Sequence, residues 1–171
     1  MKILLEGRPG SGKTTVARRL AELLRADGIP LAGFTTEEIR EGGRRVGFAV
    51  ETVDGVRATL AHVSLPGPPR VGKYGVDLHT FEQLGLAALE AVPDRGVVVI
   101  DEIGKMELES EAFRERVLEL VALPVRLVGT VQLARNPFTD RLKGSRDVQV
   151  IRVSERNREE LPADLAQRLG S

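Results

Sequence analysis

Three short stretches of this chain hold residue types at spacings that could do chemistry. Gly7-Arg8-Pro9-Gly10-Ser11-Gly12-Lys13-Thr14 fits the pattern G-x-x-x-x-G-K-[ST]. Glycines there let backbone N–H groups turn inward around phosphate oxygens without Cβ clashes. Lys13 can reach the outer phosphates of a nucleoside triphosphate, the Thr14 hydroxyl can ligate Mg²⁺, and a helix N-terminus adds partial positive charge. Gly7 to Thr15 is the candidate nucleotide-binding segment. The second stretch is Asp101-Glu102, at the end of the apolar run Val97-Val98-Val99-Ile100. Beside a phosphate loop, an acid at a strand end holds Mg²⁺, directly or through water. Its neighbour Glu102 could polarise an attacking water as general base. Acids are common at strand ends for plain structural reasons, and the loop far upstream is what singles out this pair. The third stretch is Arg156-Asn157-Arg158, after the last strand. Ligands of open parallel sheets lie beyond the carboxyl ends of strands, so Asn157 or Arg158 could touch the base or ribose.

Other residues are weaker candidates. Lys105 lies three residues beyond Glu102 and could approach the triphosphate. Lys73 sits in a loop that could close over the nucleotide. Arg40, Arg44, Arg45 and Arg70 could each act as an internal arginine finger, and the sequence chooses none of them. His62 and His79 match no metal motif and read as structural.

Positioning these residues takes a strand, a turn and a helix in the right order. Lys2 to Glu6 reads as a buried strand leading into the loop. Val16, Ala17, Leu20, Leu23 and Leu24 then recur at helical spacing until Gly28 and Pro30 stop the helix. From Leu31 to His62 the period changes to two, with turns at Glu41-Gly42-Gly43 and Asp54-Gly55, which predicts an antiparallel meander. Ser64 to Gly75, with three prolines and three glycines, predicts a loop. Thr80 and Gln83 have capping-box spacing and predict the start of the next helix. Val97 to Ile100, Val125 to Val131 and Val148 to Val153 read as strands. Ser110 caps a helix, and a last short helix begins near Pro162. Two adjacent acids favour an extra strand, here Val125 to Val131, between the phosphate-loop strand and the acidic strand. Its end would point Thr130 or Gln132 at the outermost phosphate. Strands alternating with helices predict a mainly parallel sheet covered on both faces.

Composition sets the remaining bounds. The chain has 171 residues, which suits one domain spanning 1–171. Lys plus Arg balance Asp plus Glu at 25 each, so no net charge draws it to nucleic acid or to an anionic membrane. There is no cysteine, which excludes disulfides and thiol chemistry. No apolar run has the length of a membrane span, and an acidic residue comes too early for a signal peptide, so a cytoplasmic protein is expected. Few Asn and Gln with many Arg and Glu lean toward a thermophilic source.

These motifs resemble the thermophile-type nucleoside-triphosphatases, whose vertebrate members are called cancer-related nucleoside-triphosphatase. The matching runs are Gly7 to Thr15, Gly33 to Glu38, Arg45 to Phe48, Val71 to Leu78, Ile100 to Glu107 and Asn157-Arg158. Lys73-Tyr74-Gly75-Val76-Asp77 and Asp101 to Glu107 are the most specific. The resemblance implies a RecA-like three-layer P-loop NTPase fold and Mg²⁺-dependent hydrolysis of nucleoside triphosphates with broad base tolerance. Two other readings fit the loop: a small-molecule or nucleotide kinase, and a nucleotide-dependent switch.

Overall fold

A computed structural model describes residues 1–171. Strand β1 (Lys2–Gly7) leads into the glycine-rich loop, and helix α1 (Lys13–Ala26) follows it. Val16, Ala17, Leu20, Ala21 and Leu24 form the buried stripe of α1. Strands β2 (Leu31–Glu41), β3 (Arg44–Thr52) and β4 (Arg57–His62) make the expected antiparallel meander. The meander is continuous with the main sheet, because β2 serves both. Leu31 to Phe34 pair in parallel with Val97 to Ile100, and Phe34 to Glu41 pair antiparallel with β3.

The structure corrects two expectations in the next segment. Ser64 to Gly75 is not all loop: β5 (Arg70–Val71) and β6 (Tyr74–Val76) form a small hairpin hydrogen-bonded to β4. The cap of the following helix is Asp77, not Thr80. The Asp77 carboxylate accepts from Thr80 N at 3.0 Å and from Thr80 Oγ1 at 2.8 Å. Capping-box spacing is met by Thr80 and Gln83, but Asp is the stronger acceptor and lies three residues earlier, where the chain leaves β6. The helical stretch runs through α2 (Leu78–Phe81), a π-helical turn (Glu82–Leu86) and a 3₁₀ turn (Ala87–Leu89).

Strand β7 (Val97–Ile100) carries the acidic pair at its end, and a 3₁₀ turn (Glu107–Glu109) precedes α3 (Glu111–Ala122). Ser110 caps α3 as expected, its Oγ accepting from Phe113 N at 3.1 Å. After β8 (Arg126–Gln132) comes α4 (Pro137–Lys143), a helix the sequence reading missed. Its start carries a recognisable signature: Asn136 Oδ1 accepts from Phe138 N and Thr139 N, and Pro137 occupies the first helical position. Strand β9 (Val148–Arg152) and helix α5 (Leu161–Gly170) close the chain.

All nine strands form one sheet in the order β5-β6-β4-β3-β2-β7-β8-β1-β9. The extra strand β8 lies between β1 and β7, parallel to both. Strand alternation divides each central strand between two cores. Ile3, Leu5, Val97 and Val99 pack with α1 and α5 on one face. Leu4, Val98 and Ile100 pack on the other with Phe34, Phe81 and Phe113, whose rings meet at 5.2 to 6.1 Å. This is a three-layer α/β fold with an antiparallel extension. No helix is long and apolar enough to cross a membrane. Because β1, β8 and β7 run parallel, Gly7, Gln132 and Asp101 all lie along the carboxyl-terminal edge of the sheet, where these strands end.

Candidate active site

The loop between β1 and α1 takes its shape from two glycines in the left-handed region, Gly10 at φ +79° and Gly12 at φ +103°. Gly12 is the N-cap of α1, and no side chain caps that helix end. A Cβ on Gly7 would run into Ser11 Oγ, so the loop closes tightly on itself. Ser11 Oγ is buried without a protein partner. Lys13 is only 7 % exposed, and its ammonium group donates to Gly7 O at 2.9 Å and Arg8 O at 3.2 Å. The side-chain cation is thereby held inside the turn of the loop.

Opposite the loop lies Asp101, fully buried at the end of β7. Its Oδ1 accepts from Thr130 Oγ1 at 2.6 Å and from Thr14 Oγ1 at 3.1 Å, and its Oδ2 from Thr36 N at 3.4 Å. Burial pushes its pKa above the ordinary value, and these hydrogen bonds with the more distant Arg18 charge only partly oppose that. A buried carboxylate met by neutral donors favours a cation beside it. No group of three or more His, Cys, Asp or Glu side chains is arranged to hold a metal. The donors available here are therefore the Thr14 hydroxyl and the Asp101 carboxylate, both hard oxygens. Such a set fits a cation that keeps several waters and takes phosphate oxygens, which describes Mg²⁺.

Glu102 stands at the lip of the same edge. Its Oε1 accepts from Gln132 Nε2 at 3.1 Å. Burial, then the Asp101 charge, raise its pKa above the usual glutamate range against the opposing effects of Lys13 and Gln132. Behind it Glu107 is 5 % exposed, and its pKa is raised well above the ordinary value, first by burial and then by the Glu102 charge. Gly104 lets the two acids approach. A Cβ there would stand 2.5 Å from Glu102 Oε1 and 3.1 Å from Glu107 Oε2.

A cavity of about 810 Å³ joins these groups except Asp101, which is fully buried and off its wall. Pro9, Gly10, Gly12, Lys13 and Thr14 line its loop side, and Glu102, Glu107 and Gln132 its floor. Of the two β8 residues expected to face the outermost phosphate, Thr130 is fully buried and spent on Asp101, while Gln132 reaches the cavity. Lys105 is exposed on the rim. Arg40 and Arg45 line the cavity; Arg44 and Arg70 do not. Lys73 lies over the Tyr74 ring at 5.5 Å. Arg8 and Thr15 are exposed, and neither they nor Gly7 and Ser11 are on the cavity wall. Asn157 and Arg158 also lie off it. The Asn157 amide is used at both ends, accepting from Ser154 N and donating to Arg152 O, and so pins the turn after β9. Arg158 packs over Gly12, 3.1 Å from where a Cβ would be. The sequence reading missed Thr36, whose backbone amide helps to hold Asp101. Nothing in its residue type marks that contact.

A family model described as NTPase matches residues 2–166. The chain is 44 % identical over 162 residues to nucleoside-triphosphatase THEP1 of Thermotoga sp. (strain RQ2), covering 94 % of this chain and 91 % of that one. It is 41 % identical over 177 residues to the human cancer-related nucleoside-triphosphatase, covering 95 % and 93 %. Among solved structures, THEP1 from the hyperthermophile Aquifex aeolicus superposes with TM-score 0.89 at 32 % identity, covering both chains completely. A solution structure of a human cancer-related nucleoside triphosphatase gives TM-score 0.83 at 40 % identity, covering 98 % of this chain and 96 % of the other.

Proposed function

The chain belongs to the NTPase family, and from that premise we propose that it is an Mg²⁺-dependent nucleoside-triphosphatase. It would cleave the β–γ bond of ATP, GTP, CTP and UTP to give the diphosphate and inorganic phosphate. The observation that carries this reading is the meeting of Lys13, Thr14, Asp101 and Glu102 at one sheet edge, although 87 residues separate Thr14 from Asp101. In this reading the loop N–H groups and Lys13 bind the phosphates and neutralise charge that builds on the transferred group. Thr14 and Asp101 hold Mg²⁺, which supplies further charge neutralisation on the phosphate oxygens. Thr130 and Thr36 fix the Asp101 carboxylate. Glu102, oriented by Gln132, accepts the proton of the attacking water, and its raised pKa makes it a stronger base than an exposed glutamate. Lys105 adds a cation at the rim beside the outermost phosphate. Arg158, packed on Gly12, is the side chain best placed to meet the ribose or base.

Recognition through phosphates and metal leaves the base weakly read. The specificity constants kcat/KM for the four triphosphates should lie within about tenfold of one another, a spread of about 1.4 kcal/mol. Phosphate release from each triphosphate, with Mg²⁺ and with a chelator and without any acceptor, tests the reading. A hundredfold base preference, or full activity in chelator, would contradict it.

A further inference from the structure

Phosphates alone do not account for the whole cavity. Its loop side, made by Pro9, Gly10, Gly12, Lys13 and Thr14, and its acidic floor suit a triphosphate and a metal. The opposite wall is different in kind. It is made by Phe48, Leu60, Val71 and Tyr74 of the meander and its hairpin. Phe48 and Tyr74 meet edge-on with centroids 5.3 Å apart. The Arg45 guanidinium lies 5.2 Å from the Phe48 centroid and 5.9 Å from that of Tyr74. Its Nε donates to Tyr74 Oη at 3.0 Å and its Nη1 to Glu38 Oε1 at 3.2 Å. Arg40 and Arg45 share the single carboxylate of Glu38, while Glu37, the other acid of the meander on the cavity, is already paired with Arg18 and Arg57. An aromatic, apolar surface edged with cations suits a planar anion.

Sheet order argues against giving this wall to the nucleobase. Arg158 follows β9, on one side of β1, whereas the meander begins beyond β7 on the other. The phosphate loop holds the inner phosphates through its backbone and the outer ones through Lys and Thr. The outermost phosphate therefore points toward the acids, with the meander past it. In-line attack comes from the side opposite the leaving group.

We propose that the Phe48–Tyr74–Arg45 wall is a second small-molecule site, which takes a planar organic anion while a nucleoside triphosphate occupies the phosphate loop. The proposal rests on the placement of the triphosphate at Lys13 and Thr14. An occupant of this wall stands where attacking water must enter, so it lowers kcat for phosphate release without competing with the nucleotide.

Pyrene-1-sulfonate, a planar fluorescent anion, is a suitable probe. It should bind the full chain in the presence of saturating magnesium and a non-hydrolysable ATP analogue. Arg45→Gln should weaken that binding by roughly tenfold or more, the scale of one lost charge-assisted hydrogen bond. Arg44→Gln, off the wall, should leave it unchanged. If Arg45→Gln fails to fold, Tyr74→Phe keeps the ring, removes the hydroxyl that orients Arg45, and should weaken the dye several-fold. With ATP as substrate the dye should reduce kcat and leave KM unaltered. Displacement of the dye by the analogue, competitive inhibition, or unchanged dye affinity in the folded variants would overturn the proposal. Failure of the triphosphate placement would show separately, as an analogue that does not raise the melting temperature in the absence of dye.

Discussion

Glu107 buries a carboxyl group behind Glu102, and the two share a small space closed by Gly104. Burial, reinforced by the Glu102 charge, raises the pKa of Glu107 well above its ordinary value. In the unfolded chain that pKa returns to the usual glutamate range. Between the two values the folded state binds the extra proton, so the stability this group contributes is complete below the unfolded pKa and is lost as pH rises through the folded one. Glu107→Gln keeps the shape and removes the titration. Its melting temperature should match wild type in acid and exceed it at neutral and alkaline pH. Thermal melts of both proteins across that range check this, and a variant less stable than wild type at neutral and alkaline pH would show that the charged carboxylate is used. At this scale the sequence was uneven as a guide. Lys13, Thr14, Asp101 and Glu102 could be singled out because phosphate and metal chemistry would use those types beside those glycines or at that strand end, and the fold brings the four together. Thr36 and the Phe48–Tyr74–Arg45 wall were not, because their roles arise from contacts between distant segments.

Elements were legible where a period ran long enough. The meander, α1, and the position of β8 between β1 and β7 all follow from pattern and from the acidic pair. Shorter elements were lost. The β5–β6 hairpin was hidden among prolines, and α4 was too short for its period to show, although Asn136-Pro137 announced its start. That helix matters at the site edge: Lys143 donates to Gln132 O at 3.1 Å and pairs with Glu6 at 3.0 Å, which ties α4 to the ends of β8 and β1. The shifted cap of α2 gives a direct test. Asp77→Ala should cost about 1 kcal/mol, as loss of an N-cap does. For a chain of this size that is roughly 2–4 °C in melting temperature. Thr80→Ala loses only a partner of that cap and should move the midpoint less. The opposite ranking would return the cap to Thr80.

At the scale of the whole molecule, one parallel sheet edge gathers groups that are remote in sequence, and the ligand should therefore stabilise the fold as a unit. MgATP at about 100 times its dissociation constant should add roughly 2.7 kcal/mol to stability. Lys13→Ala should abolish most of that gain, and a full melting shift in this variant would remove Lys13 from the phosphate site. Single-turnover hydrolysis of MgATP by Glu102→Gln tests most directly whether this edge hydrolyses a triphosphate with Glu102 as base. The variant keeps the side-chain shape and loses the basic carboxylate, while Lys13, Thr14 and Asp101 remain to bind. Hydrolysis should slow by roughly 10²–10⁴-fold, the usual contribution of a general base, with nucleotide affinity within a few-fold of wild type. A single-turnover rate within about threefold of wild type would contradict the account, because so small a change is far below what a general base contributes.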